Sequence, residues 1–281
     1  MSQIKQKKRE RKPSIFRELV ESRKLIISLS KNDFRARFAG SYFGIIWAFV
    51  QPIVTVLIYW FVFEKALNAG TQSTKTGIEA PYVLWLIAGL VPWFFFSEAL
   101  SMGTNSLLEY NYLVKKVVFK ISALPVVKII SSLFVHCFFI AFMLILYGFY
   151  RYVPTPYMLQ IIYYSAAMMV LCLGIVYATS AIVVFFRDLS QVINIGLQVL
   201  MWMTPIMWNM DGMQLSPVLE LILKINPMYY IVSGYRDAML NNIWFWDRGI
   251  INFYYWGLTL VILFVGTKIF RRLQPHFADV L

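Results

Sequence analysis

The chain has 281 residues, of which 59% are hydrophobic, 17% aromatic and only 14% charged, with a net charge of +12. So little polar surface cannot enclose a water-soluble domain of this length, which excludes soluble enzymes and soluble binding modules. Nucleic acid is also excluded as the partner of the positive charge, because the basic residues flank apolar runs and no recognition motif accompanies them; anionic membrane lipids suit them better.

Residues 1–13 form a basic run, MSQIKQKKRERKP, read as a cytoplasmic tail drawn to the inner leaflet. From Ser14 to Ala39 apolar residues recur at helical spacing (Phe16, Leu19, Val20, Leu25, Ile26, Leu29) with charges between them. That pattern predicts an amphipathic helix or helix pair in the membrane interface. Residues 1–40 therefore form a tail and interface helix, and residues 41–281 a six-helix membrane domain. Gly40 and Gly44, at G-x-x-x-G spacing, are read as an elbow between the two, with a helix-dimerisation face as the alternative.

Six apolar runs follow: Gly44–Phe63, Tyr82–Ser101, Pro125–Phe149, Tyr157–Phe186, Val192–Trp208 and Gly249–Lys268. Most approach or exceed the roughly 20 residues that cross a bilayer core; the fifth is short. Backbone groups in lipid must be satisfied internally, so the fold class is an all-α membrane protein with six transmembrane helices. Between the fifth and sixth runs, Leu215–Ile225 and Met228–Val232 are too short to cross and are interrupted by Glu220, Lys224 and Asn226-Pro227. Residues 209–247 are predicted to be a re-entrant outer helix pair. With the N-terminus cytoplasmic, 20 of the 26 Lys and Arg residues fall on the inner side, which places both termini in the cytoplasm.

The chain has no phosphate loop of the G-x-x-x-x-G-K-[ST] type, so it is expected to have no ATPase site of its own and to bind no cofactor. Its two histidines, His136 and His276, have no catalytic or metal-ligand spacing. The cysteines Cys137 and Cys172 read as small buried hydrophobes. His136 reads as a hydrogen-bonding packing group, with intramembrane function as the alternative. Glu98 is expected to reach the inner interface. No catalytic residue and no metal site is predicted.

Two polar and aromatic stripes remain. On the first span Gly44, Trp47, Gln51, Thr55 and Tyr59 share one face; on the fifth, Asn194, Gln198, Met201, Pro205 and Trp208 do. Such faces look at protein or at a passage, and their rings suit sugars. In the cytoplasmic loop Met102–Leu124, residues Asn105, Leu108, Glu109, Tyr110, Leu113, Lys115 and Lys116 make a short amphipathic pattern that could seat on a cytoplasmic partner.

Several segments resemble the membrane subunits of type-2 ATP-binding-cassette exporters, in particular the polysaccharide and teichoic-acid (O-antigen-like) export permeases. They are Asp33-Phe34-Arg35-Ala36-Arg37-Phe38, Ser41-Tyr42-Phe43-Gly44-Ile45-Ile46-Trp47, Gln51-Pro52, Gly89-Leu90-Val91-Pro92-Trp93, Phe186-Arg187-Asp188-Leu189, Thr204-Pro205-Ile206, Asn226-Pro227-Met228 and Gly234-Tyr235-Arg236. The resemblance implies a homodimer with two cytoplasmic ATPase subunits, which carry the ATP and Mg. It also implies export of a lipid-linked glycan across a bacterial inner or plasma membrane. It places the first and fifth spans along the conduit, the loop around Glu109–Lys116 against the ATPase, and Asn226, Pro227, Tyr229, Tyr230 and Arg236 at an outer gate. Lys31, Arg35 and Arg37 lie where the interface helix nears the membrane, positioned to attract the lipid headgroup. Two alternatives stand: an exporter of lipids or drug-like molecules, and a membrane-embedded glycosyltransferase, which would need convergent acids or histidines, whereas the outer acids Glu64, Glu79, Asp211, Glu220, Asp237 and Asp247 are scattered along the sequence.

Overall fold

A computed structural model describes residues 15–37, 39–40, 42–68, 70–73, 77, 79–115, 120–210 and 213–281. The basic tail, Phe38, Ser41, Lys116 and Asp211 lie outside the described residues. The interface segment is a pair of helices, α1 (Ile15–Glu21) and α2 (Arg23–Arg37), joined at Ser22. Phe16, Val20, Leu25 and Ile27 are exposed, while Ile26, Ser30 and Asp33, at helical spacing, form the buried face of α2. This inward face is partly polar, which apolar periodicity does not reveal.

Among the described residues, five helical stretches are long and apolar enough to cross a membrane: Gly44–Ala66, Tyr82–Thr104, Ala123–Phe149, Pro156–Val183 and Ile250–Val280. Their principal helices are α3 (Trp47–Trp60), α4 (Tyr82–Thr104), α7 (Ala123–Phe149), α8 (Gln160–Val183) and α12 (Ile250–Leu273). The short helices α5 (Ser106–Glu109) and α6 (Asn111–Val114) lie between α4 and α7. The expected fifth crossing is α9 (Leu189–Met203), with 15 residues and a length of ~22 Å at helical rise. It stops five residues before Trp208. Thr204 is extended (φ −85°, ψ 128°), as the residue before a proline tends to be. Pro205 and Trp208 therefore leave the stripe that helical spacing assigned them, a correction to the sequence reading.

The core is built around α4, which is buried along most of its length and packs against α7, α8 and α11 (Pro227–Arg236). α8 and α12 form the closest pair. A Cβ on Gly266 would lie 2.0 Å from the carbonyl oxygen of Gly174, so this backbone contact requires glycine. In contrast, α3 buries only Val56 and α9 only Leu197. The two helices with polar and aromatic stripes are thus among the least covered by the rest of the chain.

Between α3 and α4, residues Thr71–Ser73 and Glu79–Pro81 pair as a small antiparallel ribbon that the sequence reading did not anticipate. The segment after α9 forms α10 (Pro217–Ile225) and α11, divided at Asn226. Asn226 has extended backbone and its side-chain oxygen accepts from the Met228 N–H, capping α11. α13 (Phe277–Val280) closes the chain, with Phe277 buried against α12 and α8.

One further correction concerns Cys137, which is exposed, whereas Cys172 is buried. Cys137 lies on the face of α7 turned from α4, along an apolar cleft of about 760 Å³ between α7 and α8.

Candidate functional site

Between α3, α4, α7 and α9 lies a cavity of about 710 Å³. Trp47, Gln51 and Thr55 line it from α3, Asn194 and Gln198 from α9, and Ser97, Glu98 and Ser101 from α4. Phe94, Phe95 and Phe139 supply ring surface beside these polar groups. The α4 and α9 walls are tied together: Ser101 Oγ donates to Asn194 Oδ1 at 3.1 Å. Two stripes predicted from separate runs therefore meet at one space. Tyr59, Met201 and Trp208 are not in its lining. Tyr59 stacks edge-on with Phe63, and Trp208 Nε1 donates to the Trp202 carbonyl at 3.1 Å.

His136 also borders the cavity, but its Nε2 faces Tyr235 OH (3.0 Å) and Ser165 Oγ (3.2 Å). It joins α7, α8 and α11, the packing role expected of it.

Beneath the cavity is an ion network that the sequence reading missed. Lys128 Nζ donates to Asp33 Oδ1 at 2.6 Å and to Glu109 Oε2 at 2.5 Å. Tyr110 OH donates to the same Asp33 oxygen at 2.6 Å. Arg37 pairs with Glu98 and Asp33 and donates to Ser131 Oγ at 2.9 Å. Glu98 is thus held by α2 instead of reaching the interface unaccompanied. Burial would raise the Asp33 carboxyl, but Lys128 and Tyr110 outweigh it and hold Asp33 below the usual carboxylate range. Burial, followed by the Asp33 carboxylate, pushes the Tyr110 hydroxyl up. Two clues were present in the sequence: the i,i+4 pair Asp33 and Arg37, and a lysine inside an otherwise apolar run.

The network includes the loop between α4 and α7. Its expected short helix is divided into α5 and α6 at Tyr110 (φ −98°, ψ 28°), whose hydroxyl is anchored on α2. Leu107 and Val114 are buried beside Ile15, Tyr177, Phe270 and Phe277, so the loop rests on α1, α8, α12 and α13. Leu108, Tyr110 and Leu113 are half-buried, while Glu109, Asn111, Tyr112 and Lys115 are exposed. Asn105 turns away from that surface. Its amide donates to the Ser101 carbonyl at 2.9 Å, and its oxygen accepts from Ser190 Oγ at 2.6 Å, linking the loop to α9.

The residues assigned to a headgroup portal separate. Lys31 and Arg35 are exposed on α2, while Arg37 turns inward to its carboxylates. Of those assigned to an outer gate, Asn226 and Arg236 hold the Thr204–Ile206 segment, while Tyr229 and Tyr230 have separate partners. Asn226 Nδ2 donates to Thr204 Oγ1 at 2.8 Å, and Pro227 opens α11. Tyr229 packs with Met210 and Leu223, and Tyr230 OH donates to Asn252 Oδ1 at 2.8 Å. Arg236 donates to the carbonyls of Pro205 (2.6 Å) and Ile206 (2.8 Å), with its guanidinium 3.3 Å from the Trp85 ring centre. Among the described acids assigned to the outer side, four have separate partners: Glu64 pairs with Lys65, Glu220 with Lys224 and Asp237 with Arg248, while Glu79 accepts from Thr71.

Residues 24–240 match the ABC-2 type transporter family. Over 265 residues the chain is 25% identical to the O-antigen export system permease protein RfbA of Klebsiella pneumoniae, across 92% of this chain and 95% of that protein. A protein of the same description from Myxococcus xanthus is 24% identical over 265 residues, across 94% of this chain and 98% of its own length.

Proposed function

Because the chain belongs to the ABC-2 type transporter family, we propose that this multi-pass membrane protein exports a lipid-linked polysaccharide from the cytoplasmic side of a bacterial inner or plasma membrane. The chain is the permease subunit of an ABC exporter. Two copies form the transport unit, and two cytoplasmic ATPase subunits bind and hydrolyse ATP with Mg. The observation that carries this reading is the cavity, where hydroxyl and amide groups from α4, α3 and α9 face aromatic rings beside two poorly covered helices. Amides and hydroxyls match sugar hydroxyls, and rings match the apolar faces of pyranoses.

In this mechanism the exposed face of the α5–α6 loop, with Glu109, Tyr112 and Lys115, seats on the ATPase. Lys128 links Glu109 to Asp33, so displacement of the loop is passed to α2 and, through Arg37 and Glu98, to the cavity floor. Asn105 and Ser190 pass it to α9. Lys31 and Arg35 attract the phosphate of the lipid carrier at the inner interface, a contact that salt weakens. The α10–α11 pair re-enters the outer leaflet and, with Asn226, Tyr229, Tyr230 and Arg236, closes the outer end.

Proteoliposomes holding the chain and its ATPase partner, loaded with a polyprenyl-pyrophosphate-linked glycan, test the reading. ATP-dependent transfer of glycan across the bilayer is expected. Stimulation of ATP hydrolysis by drug-like amphiphiles with no response to the glycan would instead support the small-molecule alternative. Replacing Lys31 and Arg35 together with Gln should abolish most glycan-lipid stimulation of ATP hydrolysis; unchanged stimulation removes the portal assignment.

A further inference from the structure

We propose that the conduit takes an uncharged glycan and discriminates against a polymer with a phosphodiester or carboxylate in each repeat. The inference rests on the export reading above and concerns the charge inventory of the same cavity. Among its described lining residues only Arg37 and Glu98 are charged, and they pair with each other. Arg37 also faces Asp33, so no surplus positive charge is left at the cavity floor.

The rest of the polar wall is neutral. Gln51, Thr55, Ser97, Ser101, Asn194 and Gln198 present groups that donate and accept, as sugar hydroxyls do. A chain of anions passing this wall would exchange water for amides and aromatic rings with no cation to offset the desolvation. The other nearby cations do not serve the cavity. Lys31 and Arg35 lie on the interface helix, Arg236 is engaged by backbone carbonyls and the Trp85 ring, and Arg248 by Asp237. A second copy across a two-fold axis would add the same uncharged face.

The test compares two probes on one carrier in proteoliposomes of the full permease–ATPase complex: a polyprenyl-pyrophosphate-linked neutral hexose polymer and the same carrier with poly(glycerol phosphate). The neutral polymer is expected to be transported at least about tenfold faster, a factor between those of one charge interaction in bulk water and near a protein surface. Equal rates, or faster transport of the phosphodiester polymer, overturn the inference. Transport of neither polymer by a complex that still hydrolyses ATP refutes the export reading itself, and this inference with it.

The variants Gln198→Lys and Gln51→Lys, each on an exposed position of a poorly covered helix, should narrow the difference on the order of tenfold by adding a cation to the wall. An unchanged ratio in lysine variants that still co-purify with the ATPase overturns the wall-charge explanation. Should either variant fail to assemble, the wild-type rate ratio decides alone.

Discussion

Asp33 shows how one carboxylate joins structure to coupling. Its side chain is only 6% exposed and accepts from Lys128 and Tyr110 while also facing Arg37. Neutralising Asp33 leaves Lys128 with Glu109 and Arg37 with Glu98, so the cost falls below the roughly 3 kcal/mol of a buried charge left wholly unpaired. Asp33→Asn should therefore lower the melting temperature of the purified protein at neutral pH. The sign of the pH dependence follows from the lowered carboxyl: its contribution is present above the unfolded value of about 3.9 and is lost as pH falls through the lower folded-state value. Wild type and variant should thus differ at pH 7 and converge in strong acid; a difference that persists there assigns the effect to packing. Arg236 makes a second residue-scale test. Arg236→Lys keeps the charge but loses the planar stack on Trp85 and the forked donation to Pro205 and Ile206, at an expected cost of about 2 kcal/mol in thermal unfolding.

Helices here are held by different means at different depths. α8 and α12 approach until backbone meets backbone at Gly174 and Gly266, where a methyl group has no space. Gly266→Ala should separate the pair and destabilise the protein by about 1–3 kcal/mol, measured by thermal unfolding in detergent. The same change at Gly257, where a Cβ meets nothing within 4 Å, serves as the control. α11 depends on a cap instead. Asn226→Ala removes acceptance from the Met228 N–H and donation to Thr204, and should cost about 1–2 kcal/mol. If the outer-gate reading holds, the loss is accompanied by raised ATP hydrolysis without glycan; thermal loss alone would leave Asn226 a structural cap.

At the scale of the whole molecule, the proposed dimer places its seam along the uncovered faces of α3 and α9. Leu57 and Val199 are 54% and 53% exposed. Single cysteines at these positions, in a background with Cys137 and Cys172 replaced by Ala, should cross-link into dimers under mild oxidation in membranes. A cysteine at Phe253 on α12, 78% exposed, should remain monomeric. The reverse pattern would move the dimer seam to α12 and detach the cavity from it.

What was legible in the sequence were the properties carried by local composition and period. Apolar length marked the long helices, Asn226-Pro227 marked the break between α10 and α11, and stripes three and four residues apart put Trp47, Gln51, Thr55, Asn194 and Gln198 on faces that meet at one cavity. Segments such as Gly89–Trp93 and Asn226–Met228 carried the family resemblance. Period alone failed where a neighbour changed the backbone: Pro205 ended α9 and displaced Trp208, and the anchoring of Tyr110 on Asp33 accompanied the division of the loop helix. Only tertiary structure decided which charges neutralise one another. Asp33 and Lys128 are 95 positions apart, Arg37 and Glu98 are 61 apart, and pairing over such separations depends on how α2, α4 and α7 pack rather than on any local pattern.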